Sequence, residues 1–267
     1  LKAVILEGLD DVDEIAFGSN LGCARRGNGD VWCWGSPSVS TTAEDQRTQS
    51  ERLPRRVDGI VDAVEIAVGD GLACTRQNDG HVICFGKTVN PLLGGSSWEY
   101  VLPTPVPELV GLHTFDVGYG LICGFTDGPS GRVRCAGDNF FGSLGDGTRE
   151  DSLTPVDVVG LDDAIAVSVT NIIPCALKTD GRIACWGDAY TSLVGGTGPG
   201  FTPTIVDDVE DAVDVSAGYW HTCAVRADGH VLCFGRNAFE ELSRSDTMQS
   251  LTPVVIDGVD DAVRVAS

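Results

Sequence analysis

The ten cysteines are the chain's most reactive side chains, and they fall into five pairs: Cys23 and Cys33, Cys74 and Cys84, Cys123 and Cys135, Cys175 and Cys185, Cys223 and Cys233. Nine residues separate the members of four pairs, and eleven those of the third. Paired cysteines serve two chemistries. Zinc sites use thiolates roughly two to four residues apart, which does not match. A disulfide needs the two Cβ atoms about 4 Å apart, and the intervening residues provide that. In CTRQNDGHVICFG, Asn78-Asp79-Gly80 fits a three-residue hairpin loop, a type I turn closed by a left-handed glycine. Counting outward pairs Gln77 with His81, Arg76 with Val82, Thr75 with Ile83, and Cys74 with Cys84. If the loop-closing pair is hydrogen-bonded, alternation makes the cysteine pair non-hydrogen-bonded, the closer kind. The same count holds for the other nine-residue pairs, and the two extra residues before Cys135 keep that pairing centred. Each bridge contributes about 3 kcal/mol in the chain-entropy picture. Five of them imply an oxidising compartment: secreted, at the cell surface, or periplasmic.

Other chemistry is sparse. Of the four histidines, His81 and His230 follow hairpin turns, His113 sits in a turn before a strand, and His221 lies in a loop before a strand. No nucleophile–base pair, phosphate-cradling loop or dinucleotide fingerprint is evident, so neither a catalytic residue nor a cofactor nor a bound metal is expected. A net charge of -21 repels phosphate backbones and argues against nucleic acid, while it favours cations and basic protein surfaces. No apolar run is long enough to span a membrane as a helix. The chain begins at Leu1 without a basic-then-apolar leader, so any signal peptide is expected to have been removed or to lie outside this sequence.

The elements that hold these pairs are repeated. First cysteines recur at spacings of 51, 49, 52 and 48. Between the hairpins runs a second element, an extended piece, an acidic turn and a small-residue strand, as in TPVDVVGLDDAIAVSV from Thr154 and TPTIVDDVEDAVDVSAG from Thr202. Each unit of about fifty residues thus offers four strands, A to D, which is the pattern of a β-propeller blade. The expectation is an all-β propeller, one domain over residues 1–267, with five complete blades and a partial sixth. Strand C is apolar on both faces, as a blade between neighbours requires. Trp34, Phe85, Trp186 and Phe234 therefore read as inter-blade packing, with Ala136 in the third copy.

Antiparallel order sends the A–B and C–D loops to one face. Tyr119 and Tyr219-Trp220-His221 come from A–B loops, and Phe140 and Phe141 from a C–D loop; Trp98, Tyr100, Tyr190 and Phe239 are further C–D candidates. Aromatics on loops of a rigid scaffold make a binding surface; the alternative is that they pack on strand ends. The opposite face collects acidic turns, such as Asp10-Asp11, Asp162-Asp163 and Asp260-Asp261. These read either as a cation surface or, favoured here, as turn formers bonding nearby amides. The polar stretch from Ser36 to Pro54 reads as a long mobile loop.

GYWHTCAV (Gly218 to Val225), the DG turn, V-x-C-[WF]-G and GDNFFGSLGDGT (Gly137 to Thr148) together resemble the regulator-of-chromosome-condensation repeat, over the whole chain. The cysteine-paired form is similar to the family's secreted bacterial branch. The resemblance implies a seven-bladed ring, and only five hairpins are present. The ring is then incomplete and open to other chains, or the sequence is part of a longer one. Closure within the chain would pair Lys2–Leu6 with Ala262–Ala266. The functional expectation is a secreted or cell-surface module binding a protein or glycan. The resemblance also implies two alternatives: an inhibitor of an extracellular enzyme such as a β-lactamase, and, less favoured, a guanine-nucleotide exchange factor or a hydrolase or lyase with a channel site.

Overall fold

The computed structural model describes residues 6, 8–35, 51–88, 99–126, 131–170, 173–187, 200–218, 220–238, 240–243 and 248–266. Its strands form five antiparallel four-stranded sheets. The first holds β1 (Val12–Phe17), β2 (Leu21–Arg26), β3 (Val31–Gly35) and β4 (Glu51–Arg56). The second holds β5 (Ala63–Val68), β6 (Leu72–Gln77), β7 (Val82–Thr88) and β8 (Glu99–Pro105). The third comprises β9 (His113–Val117), β10 (Leu121–Phe125), β11 (Val133–Gly137) and β12 (Ser152–Asp157). The fourth has β13 (Ala164–Ser168), β14 (Cys175–Lys178), β15 (Ile183–Cys185) and β16 (Thr204–Ile205), and the fifth β17 (Ala212–Ala217), β18 (His221–Arg226), β19 (Val231–Arg236) and β20 (Gln249–Val255). In every sheet the order across the sheet is the order along the chain, as the repeat required. Two compact units divide the chain: Leu1–Leu112 with Asp116–Gly120, and His113–Phe115 with Leu121–Ser267.

The hairpins have the register counted from sequence. Cys74 stands opposite Cys84, and the other four pairs are likewise opposite. The loop-closing pair is hydrogen-bonded: Gln77 N–H donates to His81 O at 2.8 Å, and Gly80 N–H donates to Gln77 O at 2.9 Å. Alternation then places the cysteines in a non-hydrogen-bonded pair. All five disulfides are formed, with Cα–Cα distances of 4.1 Å. At the tip, the Asp79 carboxylate accepts from His81 N–H at 3.1 Å, and Asn28, Asp180 and Asp228 repeat the contact in their hairpins. That local bond is why the loop reads N/D-G.

The glycine ending V-x-C-[WF]-G is equally constrained. Gly35, Gly86 and Gly235 have φ of 116°, 112° and 111°. A Cβ on them would lie 2.3, 2.3 and 2.5 Å from the carbonyl oxygens of Asn20, Gly71 and Trp220. The C strand can therefore pass under its A–B loop only as glycine.

Successive sheets within each unit meet in one way. The cysteine-bearing face of the first sheet (Leu21, Cys23, Val31, Cys33) packs on Ile66, Val68 and Phe85 of the second. Cys123, Val133 and Cys135 pack with Trp186, and Cys175, Ile183 and Cys185 with Val215 and Phe234. Phe85, Trp186 and Phe234 are buried, in the inter-sheet role expected of them. The D strands are the outer edges, and each carries or abuts a proline: Pro54, Pro103 and Pro105, Pro155, Pro203, Pro253. Proline there blunts pairing with other chains.

Two expectations change. The loop read from Ser36 to Pro54 stops short, because Glu51–Arg56 is β4, pairing with β3 through Arg55 opposite Cys33 and Arg56 opposite Trp32. Its polar composition is that of an exposed edge strand, which sequence alone does not separate from a loop. Residues 36–50 lie outside the described residues. Ala262–Ala266 forms no strand; Ala262 N–H donates to Gly229 O at 3.0 Å and Val265 N–H to the Asp214 carboxylate at 2.8 Å. It is anchored on the fifth sheet as a first strand would be, without a strand partner among the described residues. Most of its expected partner, Lys2–Leu6, lies outside them.

Candidate functional site

The C–D loop of the third sheet is built around one side chain. Asn139 is fully buried. Its Nδ2 donates to Glu150 O at 3.1 Å and Thr148 O at 3.2 Å, its Oδ1 accepts from Leu144 N–H at 2.9 Å, and its own N–H donates to the Asp151 carboxylate at 2.8 Å. Asp138 accepts from Phe140 N–H, and Asp146 from Thr148 N–H, both at 2.9 Å. Trp186 Nε1 donates to Ser143 O at 2.7 Å, tying the loop to the neighbouring sheet. The glycines answer to close contacts: a Cβ on Gly142 would lie 2.4 Å from the Phe201 ring, and one on Gly145 2.9 Å from the Trp186 ring. Arg149 lies over the Phe201 ring at 4.6 Å.

This frame turns Leu144 inward and holds two aromatics outward. Phe140 is 66% exposed and Phe141 39%, and their rings meet edge to face with centroids 4.9 Å apart. An apolar pair held out by a hydrogen-bonded loop is ordered before any partner arrives, so little entropy is lost on binding.

The fifth sheet repeats the device. Asn237 is buried; its Oδ1 accepts from Leu242 N–H at 2.8 Å, and its N–H donates to Met248 O at 2.8 Å. Sequence reading missed the roles of Asn139 and Asn237. The signal was present, since both asparagines stand two residues after a C-strand glycine, in GDN and GRN.

His221 opens β18, and Trp220 immediately precedes it. Trp220 is half-buried, packs on the cluster of Cys175 and Val215, and has Arg236 6.0 Å from its ring centroid. His221 is half-buried against Gly218, where a Cβ would lie 2.5 Å from the imidazole. Burial pushes the His221 pKa down, and the Glu241 charge acts against that. Tyr219 lies outside the described residues, as do Trp98, Tyr190, Phe239 and the Tyr100 side chain. Tyr119 is half-buried and belongs to the other compact unit. Of the aromatics expected on loops, the structure thus brings Phe140 and Phe141 together and exposes both.

The acidic turns act as turn formers. Asp11, Asp62 and Asp211 have φ of 56°, 52° and 56°, the left-handed region that Asp tolerates better than most residues. Their carbonyls accept from Gly27, Asn78 and Ala227 N–H at 2.9, 3.0 and 2.8 Å. The next residue then reaches the neighbouring sheet: Ala63 N–H donates to Gly29 O at 3.1 Å, and Ala212 N–H to Gly181 O at 2.9 Å. No group of three His, Cys, Asp or Glu side chains suited to a metal ion occurs among the described residues.

The pattern of the regulator of chromosome condensation (RCC1) repeat matches residues 12–39 and 212–240. Human E3 ubiquitin-protein ligase HERC2 is 28% identical over 190 residues, which is 68% of this chain and 4% of that protein. The mouse protein of the same name matches to the same extent. The chain thus spans a small fraction of these relatives. Among solved structures, yeast RCC1 (Prp20) bound to Kap60 superposes with a TM-score of 0.77 at 19% identity, over 92% of this chain and 61% of that one. Human WBSCR16 gives 0.74 at 15% identity, over 94% and 68%. At such identities the likeness is one of fold, the β-propeller.

Proposed function

We propose that this chain, a member of the regulator of chromosome condensation repeat family, is a secreted or cell-surface propeller domain over residues 1–267 that binds a protein partner through Phe140 and Phe141. The exposed aromatic pair on the Asn139-braced loop carries the reading. Phenylalanines in an edge-to-face pair offer apolar anchors but no polar group to orient a sugar, so a protein suits them better than a glycan. Five disulfides support an oxidising compartment. Protein partners are also on record for one protein of like fold: yeast Prp20 is bound to Kap60 in one structure and described with binding to Gsp1p and histones in another.

The test is affinity capture from the extracellular fraction of the source organism, followed by titration of the purified captured protein. Phe140→Ser with Phe141→Ser weakens binding by about tenfold or more, at an unchanged unfolding midpoint. Unweakened binding by the double variant refutes the assignment.

A further inference from the structure

We propose that Asn28 is a site of spontaneous deamidation in this chain, and that the folded first hairpin, closed by the Cys23–Cys33 bridge, withholds it from reaction. Of the chain's asparagines, only Asn28 is followed by glycine. The nitrogen of such a glycine meets no side chain of its own on its way to the asparagine Cγ. Its attack closes a succinimide ring and breaks the bond between Cγ and the amide nitrogen. Ammonia leaves, carrying the proton that was on the glycine nitrogen. Water then opens the ring at either carbonyl. The product is aspartate or, in greater part, isoaspartate, whose main chain runs through Cβ and Cγ. One water enters and one ammonia leaves, with no oxidant or cofactor.

The fold restrains both groups that would react. Asn28 is exposed, yet each end of its amide is tied to Asp30: Oδ1 accepts from the Asp30 N–H at 3.0 Å, and Nδ2 donates to the Asp30 carboxylate at 3.1 Å. The attacking nitrogen belongs to Gly29, which is buried, and its N–H donates to Arg26 O at 2.8 Å. Attack therefore requires the hairpin tip to open, and its rate follows the population of the open form. Cys23 stands opposite Cys33 in the same hairpin, so the bridge limits that opening.

The hairpin also sorts the products. Asp79, Asp180 and Asp228 hold the position of Asn28 in their own hairpins and accept the corresponding backbone N–H, so aspartate at 28 fits the turn. Isoaspartate does not. Its longer backbone stretches a loop whose three residues set the register, and Gly29 has no room to take up the slack. Asp62 crowds it, and its carbonyl accepts from the Ala63 N–H of the second sheet at 3.1 Å. A chain that has opened and formed isoaspartate cannot remake this contact between the first and second sheets.

The test is incubation in mildly alkaline buffer, then peptide mapping with tandem mass spectrometry that separates aspartate from isoaspartate. The oxidised folded chain is compared with the same chain in guanidinium chloride and with the Cys23→Ser/Cys33→Ser variant. In denaturant, Asn28 is expected to be lost sooner than any other asparagine, and about a hundredfold or more faster than in the folded chain. The folded variant is expected to lose it about tenfold or more faster than the native chain; if that variant does not fold, the comparison of folded with unfolded native chain still decides. After refolding, the protease-resistant fraction keeps aspartate at 28 and is depleted in isoaspartate. Equal rates for the folded and unfolded chains overturn the proposal, as does an Asn28 that outlasts other asparagines in denaturant. A folded variant no faster than the native chain removes the bridge from the account, and isoaspartate undiminished in the resistant fraction refutes the sorting.

Discussion

Gly29 and Gly80 occupy the same hairpin position in the first two sheets, with φ of 80° and 86°, inside one compact unit. Their surroundings differ. A Cβ on Gly29 would lie 2.7 Å from Asp62 Cα and 2.8 Å from Ala63 N; a Cβ on Gly80 would meet nothing within 4 Å. The contrast separates two reasons for a glycine. Alanine at Gly80 suffers only the left-handed backbone, about 1–2 kcal/mol, offset by about 0.4–1 kcal/mol from a less flexible unfolded chain. The net loss is on the order of 1 kcal/mol. Alanine at Gly29 carries the same strain and also forces two backbones apart. Overpacking adds about 1–3 kcal/mol, and loss of the Ala63-to-Gly29 hydrogen bond about 1 kcal/mol more. Gly29→Ala is therefore expected to destabilise by about 2–4 kcal/mol beyond Gly80→Ala.

Urea unfolding of the oxidised protein measures the difference, with Trp32 and Trp34 reporting on the unit that holds both glycines. The slopes should agree between variants, so that midpoints translate into stability. Gly229→Ala is a replicate in the other unit, because its Cβ would lie 2.4 Å from Asp260 O. Equal losses for Gly29→Ala and Gly80→Ala would show that the hairpin glycine is there for its turn alone. The account of the acidic turns as inter-sheet fasteners would then fail.

Asn139→Ala leaves the buried Leu144 N–H without its acceptor and removes donors from Thr148 O and Glu150 O. It is expected to cost about 2–3 kcal/mol and to open residues 137–151 to protease, measured by unfolding and limited digestion; an unchanged digestion pattern refutes the bracing role. Glu14 gives a pH dependence. Burial pushes its carboxyl above the ordinary 4.5, while Arg25 and the Ile66 N–H pull the other way. An acid with a raised folded pKa holds its proton more tightly when folded, so its contribution to stability is greatest below about 4.5 and declines as pH rises through the folded value. The stability of the native protein relative to Glu14→Gln should accordingly fall as pH rises from 4 towards neutrality, as read by unfolding at a series of pH values. A relative stability that rises instead would mean that the ion pair with Arg25 outweighs burial.

Sheet order and cysteine pairing were legible because local rules act alone there. The DG loop sets the hairpin register, and the register sets which cysteines meet; no distant residue can alter that without moving every side chain to the wrong face. Strand β4 was not legible, since ERLPRR has neither apolar alternation nor a turn signal. It becomes a strand because β3 has an open edge, a tertiary fact. Ala262–Ala266 is a different case: AVRVA has the pattern of a first strand but no strand partner among the described residues, and most of the partner expected for it, Lys2–Leu6, lies outside them.

The candidate site shows the same division more sharply. Sequence marks Trp220 and Phe140 alike as aromatics in loops, and by size Trp220 is the stronger candidate. What separates them is the residue that shapes each loop. Trp220 immediately precedes β18 and leans on the cluster that closes the fourth sheet against the fifth, so much of its surface serves the fold. Phe140 follows Asn139, whose side-chain amide bonds Thr148 O, Glu150 O and Leu144 N–H and whose backbone N–H bonds the Asp151 carboxylate, and the chain there turns through Leu144 rather than through the aromatics. An inward Phe140 would have to displace Asn139 or Leu144, both fully buried. Exposure of the pair is thus a consequence of the amide beneath it. Asparagine at the second position after the C-strand glycine recurs at Asn237, whose Oδ1 accepts from Leu242 N–H as Asn139 Oδ1 accepts from Leu144 N–H, so the brace beneath the pair is a property of the repeat's frame rather than of the aromatics themselves.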